Sequence, residues 1–183
     1  MIDLVHTIAD LDQYSPLHEA RLLFLLNAFS RGPNGGAIEG LTKLAKLDFF
    51  FRYPSLLERA LEAKNKSIKD VDLQDFEKYS VETKMVRYRF GPWDHRYREF
   101  LNILVAKGLA SINIEGKTVV ISITERGQKL VEDLSLDSIF EPYLKRASIL
   151  KRHFDLKGTN LMNFIYHTFP EIISLRANSP IMI

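Results

Sequence analysis

The stretch over residues 85–134 constrains the fold most, because nearly every element boundary in it is marked. Tyr97, Phe100, Leu101, Leu104 and Val105 follow the i, i+3, i+4, i+7, i+8 spacing that lays one apolar stripe along a helix. Asp94 is placed to cap its start. Gly108 is placed to end it in the left-handed conformation, with Leu109 folding back onto Leu104. Ala110, Ile112 and Ile114, a turn at residues 115–117, then Val119, Ile121 and Ile123 alternate as the strands of a hairpin. Thr124 caps a further helix that has Glu125 in its first turn and Leu130, Val131 and Leu134 on its apolar face. This order predicts a winged helix-turn-helix-like core. Upstream, Val86, Tyr88 and Phe90 alternate with Arg87 and Arg89 as in a half-buried strand, one that could pair with the wing.

The other segments read as helices packed around that core. Ser15 and Pro16 open a helix that runs to Ser30, before Gly32 and Pro33, and residues 22–26 are apolar on every face, which marks it as central. A second helical pattern covers residues 38–51 and breaks at Tyr53 before Pro54, where a third begins. Residues 64–84 predict a loop with one short helix at most. Pro142 starts a helix, Thr159 caps the last one, and the tail from Ala177 is uncapped although Ile181, Met182 and Ile183 are apolar. The fold class expected is α+β, mainly α: residues 1–135 form the winged-helix-like core with N-terminal helices, and residues 136–183 a C-terminal helical extension packed on the same domain.

The 183 residues carry a net charge of only +2, so nucleic acid is not implied by the global balance. The chain has no cysteine, which excludes disulfides, thiolate catalysis and Cys-based zinc sites and suits a reducing cytoplasm. The first twelve residues lack a basic leader, and no apolar run reaches membrane-spanning length. Residues 35–42 imitate a phosphate-binding loop, but Leu41 stands where the phosphate-reaching lysine belongs and Glu39 would repel phosphate. The five histidines have no metal-ligand spacing and no G-x-S-x-G occurs. Neither enzymatic activity nor a cofactor or metal is expected.

One constellation stands apart. Residues 87–98 hold Arg87, Arg89, Arg96 and Arg98 together with Trp93, the only tryptophan. Interleaved arginines and aromatics suit phosphate contact, a protein hot spot, or a solvated strand face with the rings in the core. The only acid inside the cluster is Asp94, so an external carboxylate or phosphate is expected to answer the guanidinium groups. A second basic run, Lys145, Arg146, Lys151, Arg152 and His153, reads first as a solvated helix face.

The run Leu41, Thr42, Lys43, Leu44, Ala45, Lys46, Leu47, Asp48, Phe49, Phe50 with Arg52, Tyr53 and Pro54, and the later run from Arg87 to Asp94, resemble the middle components of ABC-three-component anti-phage systems of the Lamassu type. The resemblance implies a cytoplasmic, non-catalytic subunit that links an SMC-like ATPase to an effector, commonly a nuclease, with DNA met through the complex. The competing expectation is a winged-helix transcriptional regulator that binds DNA itself.

Overall fold

The computed structural model describes residues 15–30, 36–74, 77, 85–88 and 91–181. Several expectations lie outside these residues: Arg89 and Phe90, the break at Gly32 and Pro33, part of the loop over residues 64–84, the absent leader, and the last two apolar residues.

Helix α1 (Ser15–Ser30) is the centre of the molecule. Leu22, Leu23, Phe24, Leu25, Leu26 and Phe29 are all buried, and α1 touches the helices over residues 41–52, 97–106, 125–134 and 141–154 as well as the strand over residues 118–123. That all-round burial is why no polar face appears in its sequence; each such side chain contributes roughly 1.5–3 kcal/mol relative to exposure. Strand β1 (Ile38–Glu39) follows, then α2 (Leu41–Arg52) and α3 (Pro54–Ala63), parted at Tyr53. A short 3-10 turn covers Lys69–Val71. Strands β2 (Val86–Tyr88) and β3 (Gly91–Trp93) form a two-stranded ribbon. Helix α4 (Tyr97–Ala106), strands β4 (Ala110–Glu115) and β5 (Thr118–Ile123), and α5 (Glu125–Leu134) come next. The chain continues through α6 (Glu141–Phe154), α7 (Gly158–Thr168) and α8 (Pro170–Ser174). The architecture is α+β, mainly α, and among the described residues no helix is long and apolar enough to cross a membrane.

The hairpin and its flanks follow the sequence pattern closely. Gly108 has φ +67°, and the amide of Leu109 donates to the Leu104 carbonyl (2.8 Å), the bond expected when a left-handed residue ends a helix. Thr124 Oγ1 accepts from the Gly127 amide (3.1 Å) at the start of α5. Gly127 packs so tightly against the Leu109 carbonyl that a β-carbon there would collide with it.

Four expectations need correction. Residues 38–39 are not helical: Gly40, at φ +93°, separates them from α2, and they pair antiparallel with β5 to give the sheet order β1-β5-β4. A two-residue strand is too short to carry a period of two. Strand β2 pairs with β3 and not with the wing. Asp94 caps the turn before α4 rather than α4 itself, which starts at Tyr97: its Oδ1 accepts from the Arg96 amide (2.9 Å), and the same carboxylate is shared with the Arg52 and Arg96 side chains. Thr159 lies inside α7, whose first residue is Gly158, and makes no capping bond.

The tail is an element rather than a loose end. The Arg87 amide donates to the Ser179 carbonyl (2.9 Å), the Asn178 amide to the Arg87 carbonyl (2.7 Å) and the Ile181 amide to the Met85 carbonyl (2.8 Å). Residues 178–181 thus run antiparallel along the outer edge of β2, and Ile181 is buried, which accounts for an apolar residue so close to the end.

Candidate partner-binding surface

The arginine-rich stretch divides in the structure. Arg87, half-buried on β2, donates from Nη1 to the Leu175 carbonyl (2.8 Å), and its buried Nε has no hydrogen-bond partner among the described residues. Arg96 is answered locally: Nε and Nη2 reach the two oxygens of Asp94 at 3.1 and 2.8 Å, and its guanidinium lies over the Phe100 ring. Trp93 is half-buried with its ring edge-on to Tyr97. Arg98 is exposed on α4 beside Glu99 and Asn102 and has no ion pair among the described residues. Arg89 lies outside them. The expectation that only an external anion could answer this cluster therefore fails for Arg96, and for Arg87 a backbone carbonyl replaces it.

Beneath the cluster lies a buried ionic network that the sequence reading missed. Asp48 on α2, fully buried, accepts from Arg21 Nε of α1 (2.7 Å), from Arg52 Nη2 one turn along (3.1 Å) and from the Tyr97 hydroxyl of α4 (2.7 Å). Arg52 also reaches Asp94 Oδ2 (2.9 Å), and Arg21 Nη2 lies 2.7 Å from Nδ1 of His18, whose ring stacks on Phe100. With the guanidinium donating, His18 accepts at Nδ1. Burial alone would raise the Asp48 carboxyl, but Arg21, Arg52 and the Tyr97 hydroxyl hold it below the usual carboxylate range. Asp94 is held low in the same way, against burial, by Arg96 and Arg52. Burial and the neighbouring Asp48 push the Tyr97 phenol well above its ordinary value, so it remains a donor.

This network joins the run over residues 41–54 to the run over residues 87–94. Arg52 of the first meets Asp94 of the second, the Met85 amide donates to the Tyr53 hydroxyl (2.9 Å), and Gly91 approaches the buried Lys46 stem. Burial lowers the Lys46 ammonium to about 8. The two runs form one internal junction, and most of their polar chemistry is spent on holding α1, α2, α4 and the β2–β3 ribbon together. The i, i+4 pair Asp48 and Arg52 enclosing Phe49, Phe50 and Phe51 was the available signal, since charges beside such a run are buried in pairs.

The exposed apolar surface lies elsewhere. A groove of about 480 Å³ runs between α1, α4 and α5, lined by Leu17, Leu23, Leu104, Leu130, Leu134 and Phe140. Beside it Leu136 is 87% exposed and Ile139 67% exposed. Lys107 and Glu19 form an ion pair at the groove (2.6 Å). Aliphatic side chains with one charged pair at the edge can bury the apolar surface of a partner. Compared with family models, characterised proteins and solved structures, the chain matches none.

Proposed function

We propose that the chain is a non-catalytic bridging subunit, which docks protein partners and links an SMC-like ATPase to an effector of nuclease type in an anti-phage complex that senses DNA. The observation that carries this reading is the apolar groove between α1, α4 and α5, with Leu136 and Ile139 beside it. Large apolar side chains left in water next to a leucine-lined groove are typical of protein docking surfaces. The inward use of Arg87 and Arg96 supports the same reading, because it removes two of the cations a DNA-reading surface would need. The nature of the partners rests on the resemblance alone.

Leu136→Asp/Ile139→Asp provides the test, since both side chains are exposed and their replacement should leave the fold intact. Co-expressed with the products of its neighbouring genes, the wild-type chain should co-purify with an SMC-like ATPase or an effector, and the double variant should lose that association. An unchanged complex would sink the reading.

A second reading has its own support. Helix α1, strand β1, helix α2, then helix α4 and the β4–β5 hairpin, with sheet order β1-β5-β4, suit a winged helix in which α4 is the recognition helix and α3 and the β2–β3 ribbon are added between α2 and α4. Its exposed face carries Arg98, Glu99 and Asn102, a mixed surface for phosphate contact. Sequence-specific duplex binding abolished by Arg98→Glu would favour the regulator.

A further inference from the structure

The basic run of α6 separates into answered and unanswered charges. Lys145 pairs with Glu141 (2.9 Å) and Asp72 (3.4 Å), Arg146 with Glu77 (2.6 Å) and Lys151 with Asp155 (2.6 Å). The Arg152 and His153 side chains have no ion pair or hydrogen bond among the described residues. What faces them is more positive charge, from the end of α3. Lys64 Nζ donates to the His153 carbonyl (2.6 Å) and rests over the rings of Phe154 and Phe164, 4.8 and 5.3 Å from their centres. Asn65 takes the left-handed conformation (φ +52°), and the Lys66 amide turns back to the Leu61 carbonyl (2.9 Å), which sets Lys66 at the same helix end.

The electrostatics agree with the geometry. Burial, then Lys66, Arg152 and Lys64, hold the His153 imidazole below its ordinary value, and burial and Lys66 lower Lys64; no carboxylate contributes to either. Two helix C-termini meet here, and each supplies about half a negative charge. Three permanent cations exceed that by about two charges, so an excess of positive potential remains at this end of α3 and α6.

We propose that Lys64, Lys66, Arg152 and His153 form a phosphate-binding surface for the backbone of a nucleic acid, built on α3 and α6 rather than on α4. Backbone phosphates need only cationic heads, and these are what the surface presents. A docked protein would need apolar anchors as well, but Phe154 is buried and the Lys64 ammonium covers both rings. The inference is independent of the bridging reading, because it concerns this chain's own contact with nucleic acid.

The experiment uses the full chain and a labelled duplex of about 20 base pairs, titrated by fluorescence polarisation between about 50 and 200 mM salt. Wild type should bind with log K falling against log salt by about 0.9 for each phosphate met. Lys66→Glu/Arg152→Glu should lose at least tenfold in affinity and flatten that slope by about 2. Lys66→Ala/Arg152→Ala should show the same direction if the glutamates disturb folding. Arg98→Glu on α4 should change neither affinity nor slope, and added duplex should raise the pKa of His153 followed by NMR. No binding by wild type at the lowest salt, an unchanged slope in both double variants, binding lost only in Arg98→Glu, or equal competition by polyglutamate of matched charge would each overturn the proposal. The last of these would make the patch a site for an acidic protein.

Discussion

Replacing Asp48 by Asn would test whether the buried network holds the junction together. The side chain keeps its shape, but its charge disappears from between Arg21 at 2.7 Å and Arg52 at 3.1 Å, with Asp48 and Arg52 side chains fully buried. A buried ion pair that loses one partner leaves an uncompensated charge, which costs about 3–5 kcal/mol. Asp48 answers two guanidinium groups at once, so a cost within that range is expected even though Arg52 also reaches Asp94. A domain's total stability is about 5–15 kcal/mol, so the variant should be marginal. Urea melts at pH 7 should show a lower midpoint at similar slope. The pH dependence gives a second check. The folded-state carboxyl titrates below its unfolded value of about 4, so its contribution is fully present above that pH and is lost as pH falls through the folded value. The lead of wild type over Asp48→Asn should therefore shrink as pH falls below about 4. Arg52→Met in the same chain should recover part of the loss, since neighbours in one network are not additive. A cost under about 1 kcal/mol, or a lead that is the same at pH 7 and pH 3, would refute the reasoning.

Lys46→Met should stabilise the protein at pH 7 by up to about 3 kcal/mol, because burial lowers the ammonium from 10.5 to about 8. The unfolded chain holds that proton more tightly, so wild-type stability rises between those values and the variant's advantage should vanish in melts above pH 10.5. Gly127→Ala should destabilise by about 1–3 kcal/mol through collision with the Leu109 carbonyl, with a lowered melting midpoint as the readout. A neutral result would mean that α5 can slide away from the hairpin.

Legibility followed the range of the interactions. Gly108, Thr124 and the alternation from Ala110 to Ile123 are read correctly because each acts on residues close in sequence. The apolar run of α1 is also legible, since only a helix packed on most sides can bury it. Partners were the difficulty. Asp94 has the side chain of a cap, but Arg52, 42 positions away, takes one of its oxygens. Arg87 reads as a surface cation until the carbonyl of Leu175 comes beside it. Strand β3, with glycine and proline in two of its three positions, carries no strand propensity and exists because β2 pairs with it. The uneven fate of the second basic run was likewise invisible, since the acids answering Arg146 and Lys145 include residues from around the 3-10 turn about seventy positions earlier.

The backbone pairing of residues 178–181 with β2 bears on the order in which the molecule can be completed. Its hydrogen bonds to Met85 and Arg87 close a loop of about ninety residues, so during synthesis the β2 edge stays open until residues 178–181 have left the ribosome. An open edge invites pairing with other chains. Contacts of such range also form late and slowly. The β2–β3 ribbon should therefore be the last region to gain amide-exchange protection during refolding, after the α1-centred helices have already assembled.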